Sequence, residues 1–301
     1  MESAKLVSVI MTCHNGEKYI GTAIDSVMKQ TYKNWQLIFY NNFSNDKSLK
    51  IVESYQDERI KCFNSDHLLN LGQVRKLAIE VCSGEYVCFL DVDDYWNENK
   101  IEKQILKFQE NKNIDLVYSN YFLLKEEIES KKIKNLYKGV CSKNLIESYI
   151  DGNPLSAWLT VMIKMECVNK LEYSFDENLH IASDMDFFIR LSKFCNIDYI
   201  EDYLAYYRIH EDNESKEKST EIEELAYICT KYEKDNELKF FLNYKNFSDK
   251  IFIKNYLFNK ISKDLKMSYR KNIKSFLYKV IFLSIYKIPQ KLLQKIYKCF
   301  Y

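Results

Sequence analysis

Three carboxylates fall within four positions of the run Phe89-Leu90-Asp91-Val92-Asp93-Asp94, at the end of an apolar stretch that reads as a strand over Tyr86–Leu90. Alternation along an extended chain sets Asp91 and Asp93 on one side of it. Like charges at that spacing repel unless a cation compensates them, and hard oxygen ligands at a strand's carboxyl end suit Mg2+ or Mn2+ holding phosphates. The alternative is a solvated acidic turn capping the next helix, since short motifs recur by chance. Ligands of open α/β sheets bind outside the carboxyl ends of the strands, so the surroundings of this run decide between the two.

Two further clusters carry chemistry. Ser183-Asp184-Met185-Asp186-Phe187-Phe188-Ile189-Arg190 opens like a helix with Ser183 as N-cap and two carboxylates in the first turn, where the helix dipole favours them. Asp186 and Arg190 stand four apart and are expected to form an exposed helix pair. Asp184, turned into a cleft, is suited to take a proton from a hydroxyl. Tyr207-Arg208-Ile209-His210 places a histidine just beyond an expected strand over Leu204–Arg208, where it is either a packing residue or a ligand.

The elements that must position these groups alternate. Leu6–Met11 is a short β-branched run of the kind buried in parallel sheets, followed by Asn15-Gly16 and by a helical pattern from Tyr19 to Gln30. Gln36–Tyr40 is a second strand. The polar loop Asn41–Asp46 after it supplies a Ser or Asn cap for a helix running to Tyr55. Ile60–Phe63 is a third strand, Val74–Val81 a helix closed by Ser83-Gly84, Ile101–Phe108 another helix, and Leu116–Leu124 a strand. Lys125–Lys138 reads as a solvated excursion, Leu145–Ile150 as a helix, Asp151–Pro154 as a turn, and Trp158–Ile163 as a strand. This alternation predicts an α/β fold with a parallel, doubly wound sheet. No Gly-x-Gly-x-x-Gly follows the first strand, which argues against a dinucleotide site but leaves room for a mononucleotide.

Composition narrows the class. With 301 residues, 47% hydrophobic and 15% aromatic, the chain buries a large core and is not disordered. Nine cysteines without a Cys-x-x-Cys pair or a His/Cys cluster argue against structural zinc and a disulfide framework, and fit reduced thiols. Met1–Lys5 runs directly into the first strand and leaves no room for a signal peptide, so the expected location is cytoplasmic. The net charge of +1 is unevenly spread. Residues 241–301 hold fourteen Lys/Arg against two acids, a charge of +12 that leaves −11 for residues 1–240. The apolar stretch Ser275–Ile288 is too short and too charged to span a bilayer. It reads either as a basic amphipathic helix on the inner membrane face, making the protein peripheral there, or as a helical cap on an acidic domain. Nucleic acid is not an expected partner, because the larger part of the chain is acidic.

In order along the chain, Val7–Asn15, Ser26–Tyr32, Gly84-Glu85-Tyr86 with Asp91–Asp94, Ser183-Asp184 and Tyr207–His210 resemble family 2 inverting glycosyltransferases of the GT-A fold. The match covers roughly residues 6–215. It implies a Rossmann-like, mostly parallel sheet flanked by helices in residues 1–215, followed by a helical basic region in 216–301. It also implies transfer of a sugar, UDP-linked by preference, from a nucleoside diphosphate to a saccharide or lipid-linked saccharide in bacterial surface polysaccharide assembly. By that resemblance Asp184 is the base, and Thr12, His14, Asn15, Asn41, Arg75, Asp91, Asp93 and His210 bind the donor. Asp93, with Asp91 and His210, would hold Mn2+ or Mg2+. Six positions depart from the family's pattern. Asn41-Asn42-Phe43-Ser44 stands where two aspartates, a glycine and a serine are usual, His14 replaces a tyrosine, Lys76 an asparagine, and Ser183 a glutamate. A non-catalytic nucleotide-sugar binder accommodates those departures too. A nucleotidyltransferase would need a glycine-rich phosphate loop that the first strand does not lead into.

Overall fold

The computed structural model describes residues 4–125, 158–211 and 213, with a few positions between 220 and 232. The expected excursion, helix and turn within residues 126–157, and the basic segment 241–301, lie outside the described residues. The chain divides into two compact units, Met1–Glu214 and Ser215–Tyr301, and every element named below belongs to the first.

Eight described strands form one sheet: β1 (Val7–Cys13), β2 (Trp35–Asn41), β3 (Ile60–Asn64), β4 (Tyr86–Phe89), β5 (Tyr95–Trp96), β6 (Leu116–Lys125), β7 (Met162–Lys164) and β8 (Ile197–Ile209), in the order β3-β2-β1-β4-β7-β6-β8-β5. The strands β3, β2, β1 and β4 are mutually parallel, as the alternating pattern predicts. Beyond β4 the sheet is mixed, because β7 pairs antiparallel with both β4 and β6, and β5 antiparallel with β8. With β6 and β8 parallel as well, the sheet is the mostly parallel one expected, with antiparallel pairing confined to β7 and β5. Trp158–Thr160 is a 3-10 turn, so only Met162–Lys164 of the expected strand Trp158–Ile163 joins the ladder.

Both faces of the sheet are covered, which explains why β1 and β2 read as continuous apolar runs. Val7, Val9 and Met11 of β1 enter one core with Leu37 and Phe39 of β2; Ile10 enters the other with Ile38 and Tyr40. The first core also takes Ile20, Ala23, Ile24 and Val27 of helix α1 (Ile20–Met28) and Ile101, Ile105 and Phe108 of the helix Lys100–Glu110. The second takes Val74, Ala78 and Ile79 of the helix Leu71–Glu80 and Phe187, Phe188 and Leu191 of the helix Ser183–Leu191. Between β2 and β3, helix α2 (Ser48–Glu53) has no side-chain cap from its preceding residue, contrary to expectation. Asp46 instead ties the loop together, accepting from the Ser48 and Glu17 backbone N–H groups at 2.9 Å each.

Candidate active site

Strand β4 stays on β1 one residue past its end, with Leu90 N–H donating to Ile10 O at 2.9 Å. The chain then turns, closed by Asp94 N–H on Asp91 O at 3.1 Å. Asp91 and Asp93 therefore belong to a turn, not to an extended strand end, which corrects the alternation argument. This turn rests on the loop after β1: a Cβ on Gly16 would stand 2.9 Å from Val92 Cγ2, so only glycine lets the two loops approach. Asp94 is 1% exposed. Burial, then the charges of Asp93 and Asp91, push its pKa well above the usual carboxylate range. Its Oδ1 accepts from the Arg208 N–H at 2.8 Å, so it anchors the turn to the end of β8.

The long strand β8 carries its last residues across that turn. His210 Nε2 lies 2.8 Å from Asp93 Oδ2, and Asn213 Nδ2 donates to the same oxygen at 3.2 Å. Arg208 Nε donates to Asp93 O at 2.9 Å, and its guanidinium lies 4.7 Å from the centroid of the Tyr19 ring. That ring also packs 4.9 Å from the His210 ring.

From the other side comes Arg75, in the helix Leu71–Glu80. Asn70 and Gln73 form a reciprocal capping box at its start. The next turn of chain docks on residues 176–180: Leu71 N–H donates to His180 Nδ1 at 3.0 Å and Gly72 N–H to Leu179 O at 2.9 Å. Arg75 is 6% exposed and lies 4.7 Å from the Trp158 ring centroid. One guanidinium nitrogen donates to Ser183 Oγ at 2.7 Å, and another is 4.0 Å from Asp91 Oδ1. Ser183 is thus not an N-cap. Ala182 precedes the helix, and the Ser183 hydroxyl donates to His180 O at 3.0 Å while accepting from Arg75.

Asp184 follows in the first helical turn, half-buried, its Oδ1 accepting from Met185 N–H at 2.7 Å. The pair Asp186–Arg190, expected on the surface, is buried instead, at 0% and 8% exposed. Arg190 meets Asp186 Oδ2 at 2.9 Å and donates to the carbonyls of Tyr173 and Ser174, so its charge is well partnered. Asp186 ties that helix to Arg190 inside the protein, which leaves Asp184 as the more exposed carboxylate of this pair.

The remaining sequence-selected residues gather at the ends of β1 and β2. Thr12 is half-buried opposite Tyr40 in the ladder. His14 Nδ1 lies 2.9 Å from Asn42 O, and its Nε2 is 3.2 Å from Asn15 Nδ2. Asn41 turns into its own loop, donating to Asn64 Oδ1 at 3.0 Å and accepting from Ser44 N–H at 3.2 Å. The structure therefore pairs His210 with Asp93 and sets Arg75 between Asp91 and Ser183, the residue before Asp184, with Thr12, His14, Asn15 and Asn41 on the neighbouring strand ends. Sequence reasoning missed Tyr19, Trp158 and Asn213. Asn213 lay in plain sight three residues past His210, whereas nothing in the spacing marked Tyr19 or Trp158.

Among the described residues no three His, Cys, Asp or Glu side chains cluster tightly enough to cage a cation. Mg2+ and Mn2+ sites of the phosphate-binding kind use one or two carboxylates and take their other ligands from phosphate and water. Asp93, flanked by His210 and Asp91, fits that open type.

The comparisons with known proteins agree with this geometry. The Glycosyl transferase family 2 model matches residues 8–154. An uncharacterised glycosyltransferase of Methanocaldococcus jannaschii is 33% identical over 213 residues, 68% of this chain and 71% of that protein. The Escherichia coli UDP-Glc:alpha-D-GlcNAc-diphosphoundecaprenol beta-1,3-glucosyltransferase WfaP is 30% identical over 53% of this chain and 71% of its own. Among solved structures, Staphylococcus aureus TarS 1–349 with UDP-GlcNAc superposes with a TM-score of 0.63 at 21% identity, over 83% of this chain and 71% of that one. Mannosyltransferase PcManGT from Pyrobaculum calidifontis, with GDP-Man and Mn2+, gives 0.62 at 14% identity, over 97% and 83%. Those two likenesses show the GT-A arrangement of the sheet. With 33% identity over 213 residues and 71% of the Methanocaldococcus jannaschii glycosyltransferase matched, the chain belongs to glycosyltransferase family 2.

Proposed function

We propose that this protein is a metal-dependent inverting glycosyltransferase that moves a sugar from a nucleoside diphosphate, UDP by preference, to a saccharide or lipid-linked saccharide in bacterial surface polysaccharide assembly. The observation that carries the reading is the junction of three distant segments. His210 lies on Asp93, and Arg75 joins Asp91 to the residue beside Asp184. These contacts support a reading in which the leaving-group residues and the base lie near one another.

A divalent ion, Mn2+ or Mg2+, held through Asp93 with Asp91 and His210, supplies neutralisation of the diphosphate without proton transfer. Arg75 offers a planar guanidinium to phosphate or ribose from a nearly dry wall, where a charge-assisted bond is strong. The Asp184 carboxylate takes the proton of the acceptor hydroxyl. As that oxygen bonds to the anomeric carbon, the carbon–oxygen bond to the diphosphate breaks and its electron pair leaves with the nucleotide. One displacement inverts the anomeric centre. The β-1,3-glucosyl transfer to a diphosphoundecaprenol-linked sugar in the name of the WfaP relative supports both the inversion and the acceptor class. The PcManGT complex with Mn2+ supports the ion. We place the protein at the cytoplasmic face of the membrane, with the basic segment 269–301 against anionic head groups.

The test is release of nucleotide from UDP-, dTDP- and GDP-sugars, with and without Mn2+, in the presence of an acceptor extract. Metal-dependent release with at least one donor is expected. No turnover with any donor would leave a nucleotide-sugar binder without catalysis.

A further inference from the structure

The first N–H groups of an α-helix have no partner within it. In the helix Leu71–Glu80 each of the first three finds one by other means. Gln73 N–H goes to the Asn70 side chain at 2.9 Å, whereas Leu71 N–H goes to His180 Nδ1 at 3.0 Å and Gly72 N–H to Leu179 O at 2.9 Å. Asn70 Nδ2 adds a bond to Glu177 O at 2.6 Å. The start of the helix that carries Arg75 is therefore jointed to the segment that leads into Asp184. On that side the joint is firm, because Asp176 Oδ1 accepts from Asn178 N–H at 3.0 Å and Leu179 is fully buried.

His180 bonds at both of its ends. Its ring takes the Leu71 amide, and its carbonyl takes the Ser183 hydroxyl at 3.0 Å. Ser183 in turn accepts from Arg75 at 2.7 Å, and Arg75 stands about one turn beyond Leu71 on the same helix. Leu71, His180, Ser183 and Arg75 thus close a ring of contacts, with Asp184 attached at Ser183. The contact through the imidazole carries a chemical condition. A backbone N–H only donates, so Nδ1 presents its lone pair and the ring's single proton belongs on Nε2. A ring with hydrogens on both nitrogens has no acceptor to offer the helix.

We propose that His180 is a positioning residue for the transfer: as the neutral Nε2–H tautomer it fixes the Arg75 helix to the segment carrying Asp184, and so sets the base relative to the guanidinium. It acts through Leu71 and Ser183 and not on the substrates. The kinetic consequence rests on the sugar-transfer reading of the site, whereas the joint itself rests on the hydrogen bonds.

The tautomer is read by nitrogen–proton correlation NMR of the imidazoles at about pH 8, with the His180 signals assigned by their loss in His180→Asn. A proton on Nε2 and a bare Nδ1 are expected. The variants are His180→Asn, whose side-chain oxygen falls where Nδ1 stands, and His180→Leu and His180→Gln, which place no acceptor there. Glutamine serves where leucine does not fold. Nucleotide release from donor sugars, UDP affinity in Mn2+ and hydrogen exchange of the Leu71 amide are followed on the same samples. In the two variants without the acceptor, kcat should fall roughly tenfold, equivalent to about 1.4 kcal/mol, with UDP Kd unchanged and Leu71 exchanging faster. His180→Asn should restore both. Unchanged kcat without the acceptor overturns the proposal, as does an Nδ1–H tautomer. So does an equal loss in His180→Asn, which makes the shape of the ring the requirement, or a fall in UDP affinity matching that in kcat, which assigns His180 to donor binding. If no donor turns over in the unsubstituted protein, the sugar-transfer reading falls, and the tautomer and the Leu71 exchange then decide the joint by themselves.

Discussion

Strands β3, β2, β1 and β4 run parallel in unbroken register, whereas β7, β6, β8 and β5 form a mixed set in which β6 and β8 slip register twice around Asn120. The first group carries its candidate site residues within a few positions of a strand end: Thr12 within β1, His14 and Asn15 after it, Asn41 within β2, and the acidic turn after β4. The second delivers Asp184 and His210 through contacts that close over more than a hundred residues of chain, Arg75 to Ser183 and Asp93 to His210. A half made by local geometry needs little support. The half that brings Asp184 and His210 is held by side chains from the first.

Gly72→Ala should break that arrangement most severely. Its Cβ would stand 2.1 Å from Asp176 O and 2.5 Å from Leu179 O, both backbone atoms that cannot swing aside. Parting the helix Leu71–Glu80 from residues 176–180 should cost on the order of 3 kcal/mol, read as a lower urea midpoint, and should lower turnover with it. An unchanged midpoint would show that the two halves do not depend on this contact.

Ser183→Ala is the milder cut. It takes the acceptor from a guanidinium nitrogen of a nearly buried Arg75, worth about 1.5 kcal/mol, so roughly a tenfold loss in kcat is expected with donor Kd little changed. Ser183→Thr, which keeps the hydroxyl, should recover activity. A loss confined to donor Kd would place Ser183 with the first half instead.

Lys100 sharpens the comparison from within the second half, because it lies wholly buried at the start of a helix that packs on β6 and β8. Its Nζ donates to Gln104 Oε1 at 2.8 Å and lies 4.0 Å from the Trp96 ring centroid. Burial pushes its pKa down to about 8. Between that value and the ordinary lysine range near 10.5 the unfolded chain binds a proton that the folded chain has released. Stability from this group therefore rises with pH across that window. Urea midpoints at pH 7.5 and 9.5 should separate by on the order of 1–2 kcal/mol, and Lys100→Met should remove that part of the slope. The same slope in the variant would assign it to other groups.

The parallel half was legible in the sequence because its signals are local. Apolar runs such as Val7–Met11 and Leu37–Tyr40 announce strands covered on both faces, and Tyr19 to Gln30 shows helical spacing. The strand and helix bounds found there differ from expectation by a few residues at most. The mixed half was less legible. Antiparallel insertion of the short strand Met162–Lys164 between β4 and β6 is a matter of tertiary pairing, which no periodicity encodes. The burial of Asp186 and Arg190 was hidden for a similar reason: the carbonyls of Tyr173 and Ser174 that satisfy Arg190 come from a loop with no pattern of its own. At the site, residue types and order singled out Asp91, Asp93, Asp184 and His210 as candidates, and the family resemblance added Arg75. The aromatic supports Tyr19 and Trp158 looked like any other core side chains.

The division of labour between the two halves is open to one direct measurement. UDP affinity is titrated with and without Mn2+ for the unsubstituted protein, Asp93→Ala and Asp184→Asn, with turnover followed on the same samples. Asp93→Ala should lose the Mn2+-dependent part of UDP binding. Asp184→Asn should bind UDP as before while its turnover falls by roughly 10²–10⁴-fold, the scale of a general base. Full Mn2+ dependence in Asp93→Ala, or undiminished turnover in Asp184→Asn, would contradict the assignment of the metal to Asp93 and of the base to Asp184.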